Sequence, residues 1–231
     1  MASFGALTDH WGLADTNLIL FDSNKEPVPQ SRADARDENN DIAAATWFGN
    51  ASNLLFTVSC SYYLKGGSLN LNTLKLGELE AGKIADNIDV STGQNDWPTI
   101  VVTGMFGTSA VAAATGLLNT FTLPSLTING IKQAQCLGFT LSHGLLQSTS
   151  FGFSAEMASV SDGVGEVVGH GISGAVGSLS ASLVRVTDAP SWTLTLSGLN
   201  QTKAPGENQP QAAYHTTTAT AEVILSRDPV Q

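Results

Sequence analysis

The stretch DWPTIVVTG at residues 96–104 is repeated in outline by PSWTLTLSG at residues 190–198. In both stretches a Trp precedes a run in which Thr alternates with apolar residues, and a Gly ends the run. Such alternation is typical of a strand with one packed side and one solvent-facing side. We therefore predict an all-β fold with at most one or two short helices, and we expect Trp97 and Trp192 to be buried in corresponding places.

Two further pairs of segments match at nearly the same offset: LLFTVSCSY (54–62) with STSFGFSAE (148–156), and NTFTLPSLTI (119–128) with HTTTATAEVI (215–224). Phe56 corresponds to Phe151 at an offset of 95 residues, which is also the offset between Trp97 and Trp192. We interpret this series of matches as an internal duplication of a β-sandwich or small-barrel unit.

The predicted units are residues 1–120 and residues 121–231, with a single merged domain as the alternative. Between the shared strands the two units differ. The charged segment 31–45 predicts an inserted polar loop, either wholly irregular or running into a short helix. The helix-forming residues of LKLGELEAGKIAD (74–86) predict a short helix, and the Gly-rich segment 158–177 predicts a long, mobile hairpin or loop.

Charge and composition narrow the possible partners. The net charge of −10 argues against a protein that grips nucleic acid, because phosphate binding requires clustered Lys and Arg. Only 13% of the residues are charged, which fits either a surface covered by neighbouring subunits or a surface rich in Ser and Thr. The sequence holds no apolar run of about 18 residues, so we expect no membrane partner.

The cysteines and the first residues bear on the compartment. The N-terminal residues lack the basic start and apolar stretch of a secretory signal, which predicts synthesis in a reducing cytoplasm. Cys60 and Cys136 both lie in strand-like sequence, and we interpret them as buried thiols.

The catalytic and cofactor motifs in the sequence are weak. GHGISG (169–174) matches a dinucleotide-binding pattern in letters, but the strand-like AVGSLSASLVRV follows it where that motif requires a helix. Asp162, Glu166 and His170 lie four residues apart, which on a helix would suit a metal, but the glycines between them disfavour a helix. We therefore expect no cofactor, no metal and no enzymatic activity.

A resemblance is carried by FTLPSLTINGIKQ (121–133), by the Trp strands WPTIVVTGM and WTLTLSGL, and by the Gly-rich segment between strands. In these features the chain resembles the tail-tube proteins of tailed bacteriophages. The resemblance implies a structural virion protein, made in the host bacterial cytoplasm, that forms stacked rings in the phage tail. It also implies contacts with itself and with other tail proteins, and an acidic lumen through which DNA passes without specific binding. A ring would hold six chains, or three duplicated ones.

Within this hypothesis the Gly-rich segment SDGVGEVVGHGISG (161–174) is the candidate for assembly contacts. We expect it to become ordered only in the assembly, with its acids facing a neighbour or the lumen; its candidate residues are Asp162, Gly163, Glu166, His170 and Gly171. A capsid decoration or neck protein is the alternative among structural proteins. From another class, the alternative is a carbohydrate-binding β-sandwich in which exposed Trp11 or Trp47 holds sugar, with or without calcium.

Overall fold

The structure is a computed structural model. It describes residues 7–28, 31–48, 55–80, 82–93, 96–107, 120–130, 136–137, 139–141, 144–161, 167–185, 194–196, 202–203, 215–223 and 225–227. The strands are β1 (Leu18–Pro27), β2 (Ser31–Arg36), β3 (Ile42–Phe48), β4 (Leu55–Leu64), β5 (Ser68–Asn70), β6 (Lys75–Glu80), β7 (Lys83–Gly93), β8 (Thr99–Gly107), β9 (Phe121–Thr122), β10 (Thr127–Asn129), β11 (Cys136–Leu137), β12 (Phe139–Leu141), β13 (Gly144–Ser161), β14 (Val167–Arg185), β15 (Leu194–Leu196), β16 (Thr202–Lys203), β17 (His215–Val223) and β18 (Ser226–Arg227).

The predicted all-β fold is confirmed. The sheets are antiparallel, and within the described residues the helical structure is a single 3₁₀ turn, Leu71–Thr73. Within the described residues the sheets are not closed into a barrel, so the small-barrel form of the prediction is wrong there. The described residues contain no helix that is long and apolar enough to cross a membrane.

The helix predicted at 74–86 is wrong, because this segment forms the antiparallel pair β6 and β7. Gly77 and Gly82 have φ angles of 112° and 83°, which lie outside the helical region. The turn glycine also sits close to β8, since a Cβ on Gly82 would lie 3.0 Å from the carbonyl oxygen of Gly107. Leu74, Leu76 and Ile84 are buried in the core by this strand pair and the residue before it.

The main sheet has the strand order β1-β4-β8-β7-β13-β14-β17. One side of it faces a single hydrophobic core. Residues 7–17, the 3₁₀ turn and residues 120–130 supply buried side chains to the same core. Its largest fully buried members include Tyr62, Phe151, Phe153, Leu64, Leu71, Leu76, Ile84, Ile88, Ile100, Leu123, Leu126 and Ile128.

Residues 31–48 form a hairpin, which we call the arm, so the loop prediction for 31–45 is wrong. Strands β2 and β3 pair from Ser31↔Phe48 to Arg36↔Ile42. They form a separate two-stranded sheet between β1 and β4 in the chain. Alternation in SRADAR and the aliphatic and aromatic residues of IAAATWF are compatible with strands.

The Gly-rich segment 158–177 is strand in all of its described residues. β13 and β14 pair antiparallel from Gly144↔Arg185 to Ser161↔Val167, so of the two predicted forms the hairpin is confirmed for 158–161 and 167–177 and the loop is wrong there. Within this segment Ile172 is buried in the core, and Phe153 and Leu179 on either side of the segment are buried as well. Residues 162–166 lie outside the described part of the chain.

Strands from both predicted units belong to the main sheet. β7, from the first unit, pairs with β13, from the second, through Ser148↔Gly93 to Ser154↔Asn87. The division at residue 120 therefore does not separate two sheets. Strands matched by the repeat also have different neighbours: β4 pairs with β1 and β8, whereas β13 pairs with β7 and β14. The duplication stays a prediction.

Candidate functional site

The side of the main sheet opposite the core is exposed and polar, and we call it the polar face. Strand register places its residues in rows that run across the sheet, such as Tyr63–Thr99–Ser91–Ser150–Ser180. Described polar side chains on this face are Asp22, Asn24, Glu26, Ser59, Ser61, Asn87, Asp89, Ser91, Thr99, Thr103, Ser150, Ser154, Glu156, Ser178 and Ser180.

Side chains within the polar face hydrogen-bond to one another. Asn87 Nδ2 donates to Asp89 Oδ2 at 2.8 Å, and the hydroxyl oxygens of Ser91 and Thr99 lie 2.5 Å apart. Gly152 sits between Asp89 and Ser178, because a Cβ on it would lie 3.2 Å from an oxygen of each. These contacts fix the orientation of the carboxylate in the middle of the face.

The described charges on the polar face are all negative. Asp22, Glu26, Asp89 and Glu156 are exposed. Among the main-sheet residues whose side chains are described on this face, none is Lys or Arg. These four carboxylates give the described part of the face a net negative charge. The face therefore repels anions and offers hydroxyl and amide groups to water.

An apolar corner lies where the polar face meets the edge strand β1. Phe21 stacks on Tyr63 with ring centroids 3.9 Å apart, and Ile19 is the register partner of Tyr63. All three side chains are exposed. A register shift between Leu20 and Asp22 marks a β-bulge at this place, which leaves Phe21 between the paired residues.

Trp97 is 40% exposed, so the prediction of its burial is wrong. It lies two residues before Thr99, a residue of the polar face, and β8 begins only after it. Trp192 lies outside the described residues. Trp11 is buried instead, at 7% exposure, and this burial excludes it as a sugar-stacking residue. Trp47 lies on β3, where only the backbone is described.

A polar cluster on the core side joins the N-terminal segment to β4. Asp9 accepts hydrogen bonds from the Tyr62 hydroxyl at 2.6 Å and from the backbone N–H of Ala14 at 2.7 Å. Burial alone would raise the pKa of Asp9, but these hydrogen bonds outweigh it and lower the pKa. Burial raises the pKa of Cys60, which favours the protonated form of this buried thiol. The cluster therefore anchors the segment.

The burial predicted for Cys60 is confirmed, and the side chain of Cys136 lies outside the described residues. The predicted assembly residues are only partly described. His170 and Gly171 lie on β14, paired with Ser159 and Ala158. Asp162, Gly163 and Glu166 fall outside the described residues, so their role stays a prediction.

Within the described part of the chain, no group of three or more His, Cys, Asp or Glu residues has a metal-binding arrangement.

The polar face is a feature that the sequence analysis did not predict. Its signal was the alternation of Ser, Asn and Asp in strand text such as DNIDVSTG.

Comparison with known proteins found no protein-family model and no curated protein that matches the chain. The function is therefore inferred from the residues and their geometry.

Proposed function

We propose that this chain is a structural subunit that assembles into rings stacked as a tube, of the kind found in bacteriophage tails, with the polar face lining the lumen. The observation that carries the proposal is the uniform negative sign of the described charges on that face. A wall of this composition suits the passage of DNA rather than its capture.

The physical argument rests on the phosphate backbone. A protein binds duplex DNA chiefly by placing Lys and Arg on phosphates, with release of counterions. Asp89 in the middle of the polar face has the opposite effect, because its carboxylate repels each passing phosphate. The surrounding Ser, Thr and Asn side chains hold water without contributing charge. DNA would then slide along the face without a lasting contact.

The edges of the main sheet support the assembly part of the proposal. Within the described residues β1 pairs only with β4, and β17 pairs only with β14. A free strand edge presents backbone groups that can pair with a second chain. Joining unlike edges of successive subunits is a heterologous contact, and such a contact closes into a ring when its rotation permits.

The first test is electron microscopy of the purified full-length chain over a range of concentrations. We expect rings or tubes, and mass measurement of an isolated ring gives six chains, or three if the chain is truly duplicated. A chain that stays monomeric at every concentration contradicts the proposal.

A second test addresses the lumen with two matched substitutions. Ser150→Lys adds one positive charge per subunit on the polar face, and Ser68→Lys adds the same charge on the exposed start of β5. We expect tubes of the Ser150→Lys variant to retain duplex DNA at low salt, whereas wild-type and Ser68→Lys tubes do not. Equal DNA retention by both variants would contradict the proposal that the polar face lines the lumen.

One observation favours a second candidate, the carbohydrate-binding module. Trp97 and the Phe21–Tyr63 pair are exposed aromatic rings, which sugars use as stacking surfaces. This candidate predicts a monomer that is retained on a glycan column and loses retention on Trp97→Ala. Ring formation without glycan retention would reject it.

A further inference from the structure

The arm has a rigid turn at its tip. Asp37 accepts backbone hydrogen bonds from Asn39 and Asp41, each at 2.9 Å, and Arg36 donates to the carbonyl oxygen of Asn40 at 2.8 Å. Asn40 has a φ of 67°, a conformation that Asn tolerates better than most residues. Hydrogen bonds within the turn therefore fix the backbone of the tip.

The tip is acidic and exposed. Asp37 uses one carboxylate oxygen for the turn, but Glu38 and Asp41 make no side-chain hydrogen bond or ion pair to any described residue. Within the described residues, β2 and β3 pair only with each other. A two-stranded hairpin alone is marginally stable in water, so packing against another surface would stabilise the arm.

A basic site lies at one end of the core. Lys25 Nζ is 4.1 Å from the ring centroid of Phe56 and 4.7 Å from that of Phe106, and Lys83 Nζ is 5.5 Å from that of Phe106. The pKa of the nearby His10 is lowered by burial and by both lysines, despite the opposing effect of Asp9. Two of the ten Lys and Arg residues thus meet at the ring of Phe106 in a chain of net charge −10.

The tip lies at the far end of the arm. Lys25 lies on β1 before the arm begins, and the six residues of β2 separate the tip from the base of the hairpin. At the rise of an extended strand this length is about 20 Å. A hairpin of this length is long enough to contact a second chain.

We propose that the acidic tip of the arm docks on the Lys25–Lys83 site of a second copy of this chain. This contact deepens the proposed function and rests on it, because it requires self-association. It is heterologous, since the arm of each copy reaches a different surface of the next. Opposite charges guide the encounter, and the rings beneath the lysines exclude water on one side.

The test is a charge swap in the full-length chain, read as the concentration at which it self-associates in sedimentation or mass photometry. Glu38→Lys alone and Lys25→Glu alone should each weaken association by about tenfold or more at low salt, because like charges then meet. The double variant restores opposite charges and should recover most of the loss. Asn72→Lys, on the exposed 3₁₀ turn, adds positive charge away from both surfaces and should behave as wild type.

Lys83→Glu serves as a second reversal on the basic site if Lys25→Glu disturbs folding. If the wild type assembles and Glu38→Lys assembles equally well, the arm contact is wrong while the proposed function stands. If both single variants weaken association and the double variant does not recover, the two surfaces do not meet. A wild-type chain that never associates overturns the proposed function and this contact with it.

Discussion

The N-terminal segment is held to the sheet by Trp11, and replacing that residue with alanine tests this attachment. The indole of Trp11 packs over Gly104, where a Cβ would lie 2.8 Å from Cη2 of the ring. Its Nε1 donates a hydrogen bond to the carbonyl oxygen of Val102 at 3.1 Å. Trp11→Ala removes both the ring and the donor from the core side of β8.

The expected loss follows from burial. Removing a buried aromatic side chain lowers the free energy of unfolding by about 3–5 kcal/mol, including the cavity left behind. Trp11→Phe keeps a ring but leaves the Val102 carbonyl without its donor, so we expect a smaller loss of about 1–3 kcal/mol. Trp97→Ala is the matched control, because that ring is 40% exposed, and it should cost about 1 kcal/mol or less.

The assay is urea unfolding followed by far-UV circular dichroism, which does not depend on the tryptophan that is removed. All variants must be compared at one protein concentration, because self-association adds to apparent stability. Equal losses of unfolding free energy for Trp11→Ala and Trp97→Ala would refute the reasoning, because Trp11 would then not hold residues 7–17 to the core.

Three further predictions concern stability. Gly104→Ala should lower the free energy of unfolding by about 1–3 kcal/mol in urea unfolding, because its Cβ would overlap the carbonyl oxygen of Ile84 and force β7 and β8 apart. Asp9→Asn should destabilise the chain above about pH 5, because a lowered pKa stabilises the fold only while the carboxyl is ionised. The difference in unfolding free energy between variant and wild type should therefore shrink as the pH falls below about 4. A difference that is the same at both pH values would contradict the role of the Asp9 carboxylate. Burial raises the pKa of the Asp86 carboxyl in the folded chain. The stability that this carboxyl contributes is therefore complete below its pKa in the unfolded chain, and it is lost as the pH rises through its pKa in the folded chain. Asp86→Asn should therefore raise the urea midpoint at neutral pH and leave it unchanged in acid; a lower midpoint at neutral pH would contradict this.

Strand alternation could predict the fold class but not the pairing. The text of β8 alternates cleanly, and Ile100 and Val102 are buried as that pattern requires. The segment of β6 and β7 was misassigned because its Leu, Glu and Lys residues also suit a helix. Tertiary pairing overrode that propensity, with Gly77 and Gly82 supplying the positive φ angles.

The candidate site was harder to predict because it depends on neighbours distant in sequence. Asp89, Ser150 and Ser178 lie on three strands, and only the register brings their side chains to the same side. The loop prediction for the arm is wrong because the many charged residues of β2 favour a loop, although they alternate with alanines as in a strand. The predicted burial of Trp97 is wrong for a different reason: a large aromatic residue beside a strand favours a core position, but this one precedes the first paired residue of β8.

The distribution of charge limits how copies of this chain can meet. Two polar faces pressed together would oppose Asp89 and Glu26 of one copy to carboxylates of the other, and like charges across an interface cost several kcal/mol. Contacts through the β1 edge, the apolar corner and the arm avoid that cost, because those surfaces bring apolar rings or opposite charges together. Assembly by these edges leaves the polar face open to solvent along the whole array. We therefore expect Asp89→Asn to leave ring formation unchanged and Phe21→Ser to weaken it, as counted in electron micrographs. Rings lost on Asp89→Asn and kept on Phe21→Ser would reverse this assignment of the two surfaces.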